Sequence, residues 1–182
     1  ANTRALGATV VTYDRAGGED RDALADALRA RNGAILVHPF ADPWVIEGQG
    51  SAAVEIAAQM RAEATGAGGP PTRIVAPCGG GGLSAGLALA CPEAEIVAVE
   101  PVGWDDVGRS LEAGRIVGVG RDAPPTACDA LQTPATRPIN FSVLRARGVT
   151  AVAVTPAEVG AAQRLAFSRL RLVVEPGGAA AL

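Results

Sequence analysis

The residues best suited to chemistry are four consecutive glycines, at positions 79–82, which follow an apolar segment and precede a helical pattern. Glycine accepts positive φ angles and lets successive main-chain N–H groups point into one concavity. A helix that begins at such a loop adds the positive end of its dipole, which favours a bound phosphate. The sequence therefore predicts a phosphate-binding loop at these glycines, in preference to a tight turn that only serves packing.

The four glycines do not decide which ligand carries the phosphate. Gly80-x-Gly82-x-x-Ala85 fits the relaxed dinucleotide fingerprint, and Glu100 lies twenty residues after Gly80, where an acid would bind the ribose. This fit keeps an NAD(P)-binding oxidoreductase domain open as one alternative.

The types of residue that are absent limit the chemistry further. No lysine occurs, so all sixteen basic residues are arginine and no side-chain amine can form a Schiff base. A single histidine, His38, and three cysteines without a C-x-x-C pair offer no zinc set. Buried thiols are the expected state of the cysteines, and we predict no catalytic residue within this sequence.

Apolar β-branched segments and helical patterns alternate along the chain, and this alternation must position the glycine loop. Asn32-Gly33 predicts a helix end, and Thr155-Pro156-Ala157-Glu158 predicts a helix start with a capping box. The pattern predicts an α/β fold with an open, mostly parallel sheet and helices on both faces. The predicted strands are 8–13, 34–37, 73–77, 95–99, 149–154 and 172–174. The predicted helices are 19–31, 51–64, a short one after the glycines and 155–171. Residues 114–138 are predicted to be irregular.

Composition excludes several other classes of function. A net charge of −3 gives no electrostatic footprint for nucleic acid. No apolar run approaches the roughly 20 residues of a membrane span, and the first residues lack the apolar stretch of a signal peptide. We therefore expect a cytoplasmic protein without nucleic-acid or membrane partners.

Six motifs in order give the chain a resemblance to a known family. Together they resemble the threonine/serine dehydratase and serine racemase family of fold type II pyridoxal-phosphate (PLP) enzymes, and residues 136–144 are most similar to its bacterial dehydratase branch. The motifs are His38-Pro39-Phe40-Ala41-Asp42-Pro43, Val45-Ile46-Glu47-Gly48-Gln49-Gly50-Ser51, residues 79–83, Val99-Glu100-Pro101, Ala127-Cys128-Asp129-Ala130-Leu131 and Glu175-Pro176-Gly177-Gly178-Ala179.

The resemblance implies which residues hold the cofactor. Ala130 follows Asp129 where the family has Asp-Gly beside the pyridine ring, so Ala130 is a departure from the pattern. Glu175 matches the family's glutamate near the ring, although it could instead cap the helix that follows. The implied donors to the cofactor phosphate are Gly79, Gly80, Gly81, Gly82 and Leu83.

A divalent-cation site is also implied by the resemblance. Glu100, the main-chain carbonyl of Trp104 and the carboxylate of Asp106 match the family's ligands for Mg²⁺ or Ca²⁺, which prefer hard oxygen atoms. The alternative is that Asp105 and Asp106 only cap the following helix.

Two parts of the family's machinery find no match in this sequence: the lysine that forms the Schiff base, and the Ser or Cys that faces the pyridine nitrogen. Residues 1–42 would be the C-terminal part of the small domain and 43–182 an incomplete large domain. The resemblance implies a portion of a homodimeric or homotetrameric enzyme that converts a β-hydroxy amino acid to a 2-oxo acid and ammonia. An inactive protein that binds a phosphate ligand is the second alternative, beside the NAD(P)-binding domain.

Overall fold

The computed structural model describes residues 2–14, 17–63, 69–120 and 122–182. Contacts divide the chain into two compact units, Ala1–Val37 and His38–Leu182. The assignment of 1–42 and 43–182 to a small and a large domain stays a prediction. None of the helices in the described ranges is long and apolar enough to cross a membrane.

The described part of the first unit contains two helices, α1 (Asn2–Ala5) and α2 (Arg21–Asn32). The Asp20 side chain caps α2 by accepting hydrogen bonds from the next turn, and Gly33 ends the helix with a φ of +63°. The predicted end at Asn32-Gly33 is confirmed. The strands predicted at 8–13 and 34–37 are wrong, because neither segment pairs with another strand in the described ranges. An apolar β-branched segment becomes a strand only where a neighbour supplies ladder hydrogen bonds.

The second unit is built on a parallel three-stranded sheet of order β1-β2-β3. Its strands, Arg73–Pro77, Glu95–Pro101 and Thr150–Val154, agree closely with three predicted segments. Residues 172–174 form no strand, so that prediction is wrong, and Val173 is 90% exposed. The α/β fold with an open parallel sheet is confirmed.

Helices surround this sheet: α3 (Pro43–Glu63), α4 (Gly82–Ala90), α5 (Asp106–Ala113), α6 (Pro138–Ala146), α7 (Pro156–Leu165) and α8 (Pro176–Ala179). One hydrophobic cluster joins Ile74, Ile96 and Ala98 of the sheet to α3, α4 and α6. A second joins Val99 to Val159 of α7 and to Ala180, which directly follows α8. Because residues adjacent in a strand point to opposite faces, these two clusters cover both faces of the sheet, as predicted.

Some helices begin at residues other than those predicted, because the residue that caps the helix lies outside the apolar pattern used to predict it. Helix α3 begins at Pro43 rather than at 51, because the Asp42 carboxylate accepts hydrogen bonds from the main-chain N–H groups of Trp44 and Val45. Its predicted end at 64 lies outside the described residues. In the segment predicted as irregular, the described part contains a 3₁₀ turn, Asp129–Leu131, and the first residue of α6, Pro138. Helix α7 continues as a π-helical turn to Leu170.

Candidate active site

The glycine loop lies at the carboxyl end of β1. The Cys78 N–H donates to the Val99 carbonyl at 2.8 Å, which extends the sheet by one residue before the chain turns away. Gly81 adopts a φ of +88° and directly precedes α4, and within the described ranges no side chain caps the start of this helix. The sequence thus places an uncapped helix N-terminus where open α/β sheets bind ligands.

The surroundings leave no space for a side chain in this loop. A Cβ on Gly80 would collide with the Phe40 ring, and one on Gly82 would lie 2.8 Å from the Phe40 carbonyl oxygen. A Cβ on Gly81 would lie 2.9 Å from a methyl carbon of Leu144. Glycine is therefore required by close approach as well as by φ.

Several main-chain N–H groups of the loop are available to a ligand. In the part of the chain that the structure describes, no hydrogen bond uses the N–H of Gly80, Gly82 or Leu83. The first N–H groups of a helix need an external acceptor, and an anion satisfies them together with the helix dipole. This backbone cradle fits a phosphate group.

The other residues implied to contact the cofactor lie beside the loop. A Cβ on Gly79 would be 3.4 Å from the Ala130 carbonyl oxygen, and one on Gly177 would be 3.8 Å from the Ala130 Cβ and 3.6 Å from Glu175 Oε1. Ala130 and Glu175 are exposed. Although Glu175 precedes α8, its side chain makes no capping hydrogen bond. The structure thus brings the glycine loop, the 3₁₀ turn and the start of α8 together.

The three cysteines are buried free thiols, as predicted. Cys78 lies directly before the glycine loop, and burial raises the pKa of its thiol well above the usual range, with a further contribution from Glu100. The Cys78 thiol therefore stays protonated at neutral pH and is not an activated nucleophile.

Glu100, one of the residues implied to bind a cation, is fully buried at the end of β2. Its carboxylate accepts hydrogen bonds from the N–H groups of Val107 at 2.9 Å and Gly108 at 2.8 Å. Burial raises the pKa of Glu100 to about 8, these two N–H groups lower it, and the nearby Asp106 raises it again. The first main-chain N–H groups of α5 thus find their acceptor in Glu100 rather than in Asp105 or Asp106.

Glu100 also decides against the dinucleotide alternative. Both of its carboxylate oxygens are engaged by main-chain N–H groups, and its side chain is 0% exposed. A ribose hydroxyl could not reach it without opening the start of α5.

Asp106 is the second buried carboxylate, with a relative exposure of 0%. Its Oδ2 accepts a 2.6 Å hydrogen bond from the Thr136 N–H, whereas its buried Oδ1 has no hydrogen-bond partner among the residues that the structure describes. Burial raises the pKa of Asp106 to about 7, although the Thr136 N–H and the Arg109 guanidinium lower it. An unpartnered buried carboxylate oxygen beside a second carboxylate is suited to a hard cation.

Trp104 lies in the turn that joins these two carboxylates. Its indole N–H donates to the Pro124 carbonyl at 2.8 Å and its main-chain N–H to Pro101 at 2.9 Å. No three His, Cys, Asp or Glu side chains cluster in a metal-binding group anywhere in the described ranges. A cation here would therefore need main-chain oxygen, such as the Trp104 carbonyl, beside the two carboxylates.

Sequence reasoning missed two side chains that support the loop. The Thr136 hydroxyl donates to the Gly80 carbonyl at 3.0 Å, and the Asn140 amide donates to the Phe40 carbonyl at 2.8 Å. Both side chains are buried. Each bond joins residues more than fifty positions apart, so no local pattern could have revealed them.

Comparisons with known proteins agree with this geometry. The family model described as pyridoxal-phosphate dependent enzyme matches residues 1–182. The L-threo-3-hydroxyaspartate ammonia-lyase of a Pseudomonas species is 36% identical over 98% of this chain and 54% of its own length. The serine racemase of Schizosaccharomyces pombe is 32% identical over 98% of this chain and 53% of its own length.

Solved structures show the same relationship. The crystal structure of the T.th. threonine deaminase superposes with a TM-score of 0.85 at 40% identity, over 97% of this chain and 57% of that protein. Maize serine racemase gives a TM-score of 0.85 at 28% identity, over 98% of this chain and 52% of that protein. The chain spans about half the length of these relatives. It belongs to the family of pyridoxal-phosphate dependent enzymes.

Proposed function

We propose that this chain forms the cofactor-phosphate site of a PLP-dependent ammonia-lyase that converts a β-hydroxy amino acid to a 2-oxo acid and ammonia. The observation that carries the proposal is the backbone cradle at residues 79–83, where the N–H groups of Gly80, Gly82 and Leu83 have no acceptor among the described residues. Three relatives are named for 3-hydroxyaspartate, threonine and serine. Each of these amino acids carries a hydroxyl group on its β-carbon, which supports a substrate of that kind.

The chain's own residues would hold and orient the cofactor. The main-chain N–H groups of the five residues from Gly79 to Leu83 would bind the phosphate, and Ala130 and Glu175 would lie beside the ring. When bound, PLP supplies an electron sink for the carbanion formed at the α-carbon of the amino acid. Held by its phosphate, the ring would keep a fixed position in the site. Since this chain has no lysine, the amine that binds PLP covalently must lie outside these 182 residues.

We also propose that Glu100, Asp106 and the Trp104 carbonyl bind Mg²⁺ or Ca²⁺. Support comes from the unpartnered Oδ1 of Asp106 and from the desolvation of both carboxylates, which makes a cation the favourable counter-charge. The bound ion would fix the turn between β2 and α5.

The decisive experiment is PLP binding by the protein at its full natural length. We expect Gly81→Asp to abolish binding, because a carboxylate would repel the phosphate and its side chain would fill the cradle. Gly114→Asp is the matched control: it places the same residue at a φ of +67° with nothing within 4 Å. Inorganic phosphate should compete with PLP for the wild-type site. PLP binding that survives Gly81→Asp, or ignores phosphate, overturns the assignment of the loop.

Activity separates the remaining candidates. Incubation with threonine, serine and 3-hydroxyaspartate should yield a 2-oxo acid and ammonia from at least one, and borohydride should trap PLP on a lysine. PLP binding without trapping or turnover would identify an inactive phosphate-ligand-binding protein instead. The resemblance further supports a cytoplasmic homodimer or homotetramer, which light scattering of the purified protein and cell fractionation test directly.

A further inference from the structure

Thr136 is the residue that connects the buried carboxylates to the glycine loop. It is 2% exposed and uses both of its hydrogen-bond donors. Its main-chain N–H donates to Asp106 Oδ2 at 2.6 Å, and its hydroxyl donates to the Gly80 carbonyl at 3.0 Å. One threonine thus joins two parts of the chain that lie 30 residues before it and 56 residues before it.

The bond to Gly80 constrains more than one atom. In a trans peptide the carbonyl of residue i and the N–H of residue i+1 point in opposite directions. Holding the Gly80 carbonyl therefore also sets the direction of the Gly81 N–H and the orientation from which α4 begins. Four glycines sample many backbone conformations in the absence of such a constraint, and ordering them opposes ligand binding.

The other end of the link is a short, buried hydrogen bond. Asp106 Oδ2 is a buried acceptor, and its 2.6 Å bond fixes the main chain at Thr136 just before α6 begins. The hydroxyl of Thr136 is therefore presented to Gly80 from a backbone that is itself anchored.

We propose that Thr136 is a positioning residue, which transmits the anchorage of Asp106 to the Gly80 peptide and so preorganises the loop for the cofactor phosphate. This inference rests on the proposed function, since it concerns the same phosphate site. Thr136 acts through the Gly80 peptide, so its effect is on the geometry of the N–H groups.

The test compares ligands with and without a phosphate in the protein at its full natural length. Thr136→Val removes the hydroxyl at nearly constant volume, and Thr136→Ser keeps it. We expect Thr136→Val to weaken PLP binding by about tenfold, as loss of one buried hydrogen bond predicts, while the affinity for phosphate-free pyridoxal is unchanged. Thr136→Ser should retain the wild-type preference for PLP over pyridoxal. Thr150→Val makes the same chemical change at an exposed position at the start of β3 and should alter neither affinity.

The outcomes distinguish this inference from the proposed function. Wild-type protein that binds no PLP refutes the proposed function. If the wild-type protein binds PLP and Thr136→Val has the same ratio of PLP affinity to pyridoxal affinity, the role of Thr136 is refuted. The assignment of the loop then stays intact. Equal weakening of both ligands also refutes it, because a merely structural contribution would act that way. If Thr136→Val lacks the native circular dichroism spectrum, Thr136→Ala, which puts no methyl group against Gly80, provides the same comparison.

Discussion

The side-chain amide of Asn140 donates a 2.8 Å hydrogen bond to the main-chain carbonyl of Phe40, one hundred residues earlier in the chain. The Phe40 ring occupies the space above Gly80, and its main chain packs against Gly82. Asn140 thus fixes, through Phe40, one wall of the glycine loop. Thr136 holds the same loop through the Gly80 carbonyl.

Asn140→Asp should destabilise the fold. The substitution keeps the shape of the side chain but replaces the buried donor with an oxygen that faces the Phe40 carbonyl, and we expect a loss of about 1–3 kcal/mol in the free energy of unfolding. Urea denaturation at neutral pH measures this loss. Ser142→Ala, at an exposed position of the same helix, is the control and should change stability by less than about 0.5 kcal/mol. Equal midpoints for the two variants would contradict the role of Asn140.

Local interactions explain which parts of the fold the sequence could predict. The capping box at Thr155 and Glu158 and the end of α2 at Gly33 depend on residues within one helical turn, and both are as predicted. The strands 73–77 and 95–99 are apolar after their first, charged residue, and they pair in parallel. The loop itself could be located because four consecutive glycines are costly unless a site requires them.

Non-local interactions explain what the sequence could not predict. Residues 8–13, 34–37 and 172–174 have strand-like composition but no pairing neighbour in the described ranges, and composition alone does not provide one. The buried pair Glu100 and Asp106 could be named, whereas the hydrogen bonds that engage them depend on how α5 and residue 136 fold back. Such contacts follow from tertiary packing only.

Helices α3 and α4 cross at two glycines, and this contact makes a sharp prediction. A Cβ on Gly86 would lie 2.5 Å from the Ile46 carbonyl oxygen and 2.6 Å from the Gly50 nitrogen. These are main-chain atoms, so the helices must move apart. Gly86→Ala should lower the free energy of unfolding by about 1–3 kcal/mol.

The control for Gly86→Ala lies in the same pair of helices. Gly48 is an exposed residue of α3 with nothing within 4 Å of its ideal Cβ. Gly48→Ala should stabilise the protein by roughly 0.5–1 kcal/mol, because alanine loses less backbone entropy in a helix. If Gly86→Ala melts at the same temperature as Gly48→Ala or higher, the two helices do not pack closely at Gly86.

The capping box at the start of α7 should make part of the stability depend on pH. The Thr155 N–H and hydroxyl both donate to Glu158, at 2.7 and 2.8 Å, and these bonds lower the pKa of the Glu158 carboxyl. A carboxyl group whose pKa is lower in the folded state stabilises the protein at any pH above its unfolded-state pKa. That contribution is lost as the pH falls through the folded-state pKa. Wild-type protein should therefore lose stability below about pH 4.5, and Glu158→Gln should lose less. Thr155→Ala should cost about 1 kcal/mol at neutral pH.

Glu100 and Asp106 should have the opposite pH dependence. Burial raises their pKa values to about 8 and about 7, so the folded protein keeps protons that the unfolded chain releases near pH 4. Where the folded state binds more protons, stability falls as the pH rises. With EDTA present, the free energy of unfolding should therefore decrease between about pH 4 and about pH 8, as urea titrations at each pH would measure.

A divalent cation should reverse this loss, because it places positive charge beside both ionised carboxylates. Saturating Mg²⁺ or Ca²⁺ should stabilise the protein most at pH 8 and least at pH 4, since binding to the folded state competes with the bound protons. Asp106→Asn removes one buried charge and should both flatten the profile in EDTA and abolish the gain from the cation. Glu112→Gln removes an exposed charge from the same helix and should preserve both effects. A cation gain that persists in Asp106→Asn would place the ion elsewhere, and a flat wild-type profile would mean that the two carboxylates are not desolvated as described.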